Sequence, residues 1–169
     1  MKILETERLI IRHLTTDDTA FILELLNEPS FIQNIGDRNV RTEEDARRYL
    51  LNGPIESYDK NGFGLFMVEL KDTFVSIGMC GLIKRDNLPD ADVGFAFLPK
   101  YWMKGYALES AFAVLKFAKE NCGLKRILGI VNPDNSASIR VLEKLGLKFE
   151  RMVKMPQDDF EIKMFSADL

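Results

Sequence analysis

Soft metal ligands are scarce in this chain. It has one histidine, His13, and two cysteines, Cys80 and Cys122, which stand far apart and without CxxC spacing. That pattern argues against a zinc site and reads as two core thiols rather than a disulfide. No apolar run approaches the ~20 residues that a membrane helix needs. The opening MKILETERLIIRHL alternates polar with apolar residues, where a signal peptide would carry a continuous apolar stretch. Together these absences predict a protein of the reducing cytoplasm. Basic excess is missing too: the formal net charge is −3, which argues against a nucleic-acid partner. Neither GxGxxG nor GxxxxGK[ST] occurs, so the dinucleotide fingerprint and the P-loop are both excluded. There is no repeat, linker or low-complexity segment.

What remains is an ordinary globular chain whose 169 residues suit one domain, residues 1–169, around one substantial core. Residues 4–14 read as a strand with Leu9 and Ile11 on one face. Thr15 or Thr16 then opens a helix with Asp17 and Asp18 in its first turn, and Pro29 is expected to end it. Residues 30–41 read as a loop. Thr42 caps a second helix, which Gly53-Pro54 should break or bend. Strands are expected over 64–70, 74–84 and 92–98, and a long helix from Gly105 to Asn121. A buried strand follows over 125–131, then a helix over 135–145 closed by Gly146, then a final antiparallel pair over 147–153 and 159–166. The fold class is α/β, with a mixed sheet of six to seven strands and helices on both faces.

Two segments carry chemistry. In the first, Leu98-Pro-Lys-Tyr-Trp-Met-Lys-Gly-Tyr-Ala107, a strand turns into a helix. A helix start offers unpaired amides and partial positive charge to a pyrophosphate, Gly105 lets a ligand approach the backbone, and Ala107 is small enough to pack beside it. Lys100 and Lys104 add positive charge. An ordinary strand-to-helix connection with two solvated lysines fits the same residues. The second segment runs Val131-Asn-Pro-Asp-Asn-Ser-Ala-Ser-Ile-Arg-Val-Leu-Glu-Lys-Leu-Gly146. Asn135 there can cap the helix or bond an amide-rich ligand, since its amide both donates and accepts.

Taken together, these segments resemble the GNAT acetyltransferases, most closely the branch of bacterial ribosomal-protein N-terminal (serine/alanine) acetyltransferases. Glu5-Thr-Glu-Arg-Leu-Ile-Ile-Arg12 is similar to that branch's first strand. Residues Val93 to Glu109 resemble its fourth strand and acyl-CoA loop, and Asn132 to Gly146 the helix that completes the site.

The resemblance implies a mostly antiparallel sheet splayed between its fourth and fifth strands, with acetyl-CoA in the split. Backbone groups of Phe95, Ala96 and Phe97 would pair with the pantetheine. The loop from Trp102 through Met103, Lys104, Gly105 and Tyr106 to Ala107 would cradle the pyrophosphate, and Asn135 would bond the pantetheine arm. Three positions depart from the wider family: Trp102 opens the loop, Met103 replaces a common glycine, and Leu142 stands where many members have an acidic tyrosine. Ser138, one turn earlier, occupies the position where the ribosomal-protein branch has a serine.

Acetyl transfer needs a neutral amine, and a carboxylate reached directly or through one water can take the proton from the ammonium. Asp92 is the first candidate, with Glu69 and Glu28 behind it. The Phe97 amide can stabilise the thioester oxygen, and Ser138 the departing thiolate. Glu109 is read as pairing with the helix dipole, and His13 as structural. The acceptor amine, either a protein N-terminus or a small molecule, should meet the two N-terminal helices and the loop from Phe31 to Arg41. A second reading is a non-catalytic acyl-CoA sensor; a third is an unrelated α/β enzyme using another nucleotide. Nothing in the sequence separates a monomer from a homodimer.

Overall fold

The computed structural model describes residues 1–169. Its strands are β1 (Lys2–Glu5), β2 (Leu9–His13), β3 (Leu65–Leu70), β4 (Ser76–Ile83), β5 (Asp92–Phe97), β6 (Arg126–Val131), β7 (Lys148–Lys154) and β8 (Glu161–Asp168). They form one 8-stranded sheet in the order β1-β2-β3-β4-β5-β6-β8-β7. Every pairing is antiparallel except that of β5 with β6, which is parallel and registers at a single pair, Asp92 opposite Leu128. Beyond that pair the two strands diverge, which is the expected splay.

The count of six to seven strands was one short, because the segment over 4–14 is two strands and not one. The chain turns at Thr6–Arg8, and the partner that holds the turn lies a hundred residues away. The Glu109 carboxylate accepts from the Thr6 hydroxyl at 2.6 Å, the Arg8 amide at 2.9 Å and Arg8 Nε at 2.7 Å. Burial alone would raise the pKa of Glu109; the bonds from Thr6 and Arg8 outweigh it and hold the group lowered.

The helices depart from expectation at two prolines. Thr15 caps a short 3-10 turn, Thr16–Asp18, through a capping box with Asp18, and α1 (Thr19–Leu26) continues from it. That helix stops at Leu26, ahead of Pro29. Pro29 instead opens α2 (Pro29–Asn34), where its missing N–H costs nothing, so part of the expected loop is helical. Thr42 caps α3 (Glu43–Leu50) with Asp45 completing the box. Gly53-Pro54 does not end the helical path. A wider π-type turn, Leu51–Ile55, absorbs the proline, and α4 (Glu56–Asn61) follows until Gly62. The remaining helices are α5 (Tyr106–Glu120) and α6 (Ser136–Lys144), with Gly146 in the left-handed region behind α6 as read.

Period-two alternation sorts the strands onto two faces. Phe66, Val68, Cys80, Leu82, Ile127 and Phe165 join Ala111, Val114 and Ala118 of α5 and Leu142 of α6 in one continuous core that spans both halves of the sheet. Their neighbours on the other face form two separate cores. Met67 and Met79 pack with α1–α3, while Leu128 and Met164 pack with Val153, Met155 and Ile162. Between those two cores lies the mouth of the cleft. Cys80 is fully buried, and burial pushes its thiol up to about 12; both cysteines are free.

Candidate active site

The β4–β5 register fixes which edge of β5 is available. The Leu98 amide donates to Ile77 O at 3.0 Å, continuing the ladder in which Gly78 faces Phe97. Backbone polar groups alternate sides in an antiparallel strand. The N–H and C=O of Ala96 therefore point to β4, and those of Phe95 and Phe97 to the cleft. This corrects the expectation for Ala96, whose backbone is spent on the sheet; its side chain still lines the cavity. The Phe97 carbonyl is also taken, by the Trp102 indole N–H at 2.8 Å. The groups left open along the edge are both of Phe95 and the N–H of Phe97.

The loop after β5 ends in an uncapped helix. Gly105 stands at the N-cap of α5 with φ 82, and no side chain bonds the first turn. The amides of Tyr106, Ala107 and their neighbour Leu108 have no intrahelical partner there. Met103, φ 60, holds a left-handed conformation that favours glycine and is fully exposed. A Cβ on Gly105 would sit 3.3 Å from Arg8 Nη2. The Arg8 guanidinium is stacked over the Tyr106 ring at 4.4 Å and paired to Glu109, so the turn after β1 buttresses this loop. Glu109 thus does more than face a dipole: it ties β1, β2 and α5 together.

Across the cleft, α6 is capped. Asn135 Oδ1 accepts from the Ser138 amide at 3.2 Å, which satisfies the capping reading. Its Nδ2 makes no bond within the chain, and Asn135 lines the cavity, so the second reading survives beside the first. The Ser138 hydroxyl also has no intrachain partner and lines the same cavity. It differs from Ser110 in α5, whose hydroxyl bonds back to Tyr106 O and Ala107 O. Leu142 is buried against Gly129, where a Cβ would come within 2.7 Å of it.

The cavity encloses about 440 Å³ between α2, the β5–β6 split and the β7–β8 turn. Asp92 stands in its wall, its side chain only 2% exposed and held by Arg85 Nε at 2.8 Å. Burial pushes the Asp92 carboxyl up, against the pull of the Arg85 charge. The structure brings Asp92, Phe95, Ala96, Asn135 and Ser138 together here. Trp102, Met103, Lys104, Gly105, Tyr106 and Ala107 lie outside it, along the loop at the other end of the cleft.

The other carboxylate candidates do not reach the cavity. Glu69 is bound to Arg12 at 3.1 Å, and Glu28 lies outside the lining. His13 stacks on Tyr58 with centroids 4.0 Å apart, and burial lowers its pKa. Arg38 and Tyr49 stand in the cavity wall within the segments expected to meet the acceptor, though neither was singled out, while sequence reasoning missed Arg85 altogether. For Arg85 a signal existed, since pairing Ile83 with Asp92 across the β4–β5 connection brings a residue just past Ile83 near Asp92.

Comparison with known proteins bears on the family and the fold. A family model described as an acetyltransferase (GNAT) domain matches residues 8–148. The uncharacterized N-acetyltransferase YnaD of Bacillus subtilis is 31% identical over 149 residues, covering 88% of this chain and 84% of its own length. A GNAT-family acetyltransferase of Bacillus anthracis superposes with a TM-score of 0.77 at 29% identity, covering 100% of this chain and 98% of that one. RimL, a ribosomal alpha-N-protein acetyltransferase solved with coenzyme A, superposes with a TM-score of 0.83 at 14% identity over 100% of this chain and 98% of its own. An open strand edge beside an uncapped helix start, on a chain matched over most of its length, leaves one assignment: the protein belongs to the GNAT acetyltransferases.

Proposed function

We propose that this chain, acting as one domain, transfers the acetyl group of acetyl-CoA to a primary amine held in the cavity. The observation that carries the proposal is the pairing of an unfilled β5 edge with the uncapped start of α5. An extended amide-bearing arm can bond the Phe95 C=O and the Phe97 N–H as an added half-strand does. The amides around Gly105 and Tyr106 suit a pyrophosphate, with Lys104 beside them. Acetyl-CoA supplies the activated acetyl group as a thioester.

Each residue then has a task that its surroundings fit. Asp92 takes the proton from the incoming ammonium, directly or through one water; its raised pKa brings it closer to that task than an exposed aspartate. Arg85 keeps the carboxylate oriented. Phe97 lies about 16 Å along β5 from Asp92, so the donor that suits a carbonyl oxygen gaining charge is the Phe95 N–H, which faces the split nearer the carboxylate. Ser138 Oγ–H is free to donate to a departing thiolate, a stabilising hydrogen bond rather than a strong acid. Asn135 Nδ2 binds an amide of the ligand arm.

An acceptor screen reporting free CoA tests the proposal, with peptide N-termini and small amines side by side. Release above background hydrolysis with at least one amine is expected. Acetyl-CoA binding without release for any amine would return the chain to the sensor reading.

A further inference from the structure

The cavity beside Asp92 is not the acidic pocket that a polycation would fill. Two arginines and two carboxylates line it: Arg38, Arg85, Asp92 and Asp158. Asp92 and Arg85 neutralise each other through Nε alone, which leaves both Nη nitrogens of Arg85 without a partner in the chain. Arg38 makes no ion pair and no side-chain hydrogen bond, although Asp37 beside it is engaged by Arg41. Tyr49 reaches the wall from α3 with a hydroxyl that bonds nothing in the chain.

These three residues also border a second hollow, lined in addition by Lys60, Lys84, Glu56 and Asp86. Cations outnumber acids there. Burial raises the Tyr49 phenol, and the charges of Arg38 and Arg85 both pull it back, so the hydroxyl stands within the field of both guanidinium groups. A guanidinium left unpaired at a cavity wall favours a forked oxyanion, and a phenol adds a third donor.

Resting on the acetyl-transfer reading above, we infer that the acceptor is a small zwitterionic amine, whose nitrogen lies at Asp92 and whose oxyanion, a carboxylate or a phosphate, is held by Arg38, the Nη face of Arg85 and the Tyr49 hydroxyl. A polyamine would place a second cation against an unpaired arginine. A zwitterion matches the mixed charge of the wall, and its anion specifies the acceptor while its amine reacts.

The experiment compares amines that differ only in the anion. Amino acids, their carboxamides, aminoalkyl phosphates and spermidine are turned over with acetyl-CoA by the parent protein, Arg38→Met and Arg47→Met. The expected result is that an acid or phosphate exceeds its neutral counterpart by about tenfold or more in kcat/KM. That ratio should fall within about threefold in Arg38→Met. Arg47→Met, which removes an exposed charge of α3 outside the cavity, should keep the parent ratio. Phosphate against carboxylate tells which oxyanion is preferred. Carboxamides or spermidine turned over as well as the acids, or a ratio that survives Arg38→Met, overturns the inference. Calorimetry with CoA present separates this failure from that of the transfer reading. Acids that bind while carboxamides do not, with no CoA released by any amine, leave the anion site standing and overturn the transfer. Equal binding of both overturns the anion site.

Discussion

The two ends of the cleft are built from different material. At the α5 end the groups on offer are main-chain amides around Gly105, with side chains either exposed, as in Met103, or turned to structural work, as in Trp102 and Arg8. At the α6 end they are side chains: Asp92, Asn135, Ser138 and the arginines. Even the helix starts differ, since α5 has no side-chain cap and α6 is closed by Asn135. Main-chain donors suit a ligand part that never changes, whereas side chains can be exchanged to choose an acceptor. The first end should therefore be sensitive to backbone conformation and tolerant of side-chain truncation. The second should respond to isosteric changes of one atom.

The largest effect is expected at the side-chain end. Asp92→Asn should lower kcat by about 10²–10⁴-fold with acetyl-CoA affinity nearly kept, read by steady-state kinetics and calorimetry. A fall confined to affinity would erase the distinction between the ends. The same residue sets a pH dependence. Its pKa is raised in the folded protein, so it is protonated and idle at low pH and becomes a base as pH rises through a midpoint above that of an exposed aspartate. The acidic limb of kcat/KM should lie there, and Asp92→Asn should remove it.

Next comes the backbone of the other end. Gly105→Val puts a β-branched residue where φ is 82, so CoA affinity should fall by roughly tenfold or more in calorimetry while kcat at saturation changes less. Ser138→Ala should lower kcat and kcat/KM together by about tenfold, the worth of one hydrogen bond gained in the transition state, with KM steady. Ser110→Ala sharpens the reading, because its hydroxyl is spent on helix carbonyls and its loss should appear in thermal stability alone. The smallest effect belongs to Lys104→Ala, where an exposed charge beside main-chain donors should change CoA affinity by no more than about threefold at physiological salt.

Local chemistry made much of this legible beforehand. Thr42 announced its helix, and the pair Thr15-Thr16 another, because a cap and its first-turn acids are neighbours in sequence, and Gly105 and Gly146 marked helix ends through their positive φ. Turns that depend on distant partners were not legible. Thr6–Arg8 needs Glu109, and nothing within ten residues shows it. Pro29 and Pro54 mislead because a proline can open a helix or sit in a widened turn as well as stop one. In the site, Asn135 was legible from its own amide and its place before a helix, Asp92 and Ser138 came from a motif resemblance, and Arg38 and Tyr49 come together only through the packing of α1–α3 against the sheet.

The single rung between β5 and β6 has a mechanical consequence. On the α5–α6 face one unbroken core binds both leaves of the sheet, while on the other face the packing is divided in two. The molecule is thus stitched along its spine and free along its fore-edge. Widening of the cleft needs no loss of the shared core, and a ligand strand seated on β5 would act as a removable stitch. Because it binds only the folded form, its binding free energy adds to folding stability, by about 2.7 kcal/mol at a hundredfold excess over Kd. Amides of β6 and its neighbours should gain protection from hydrogen exchange together with those of β5, as two leaves begin to breathe as one.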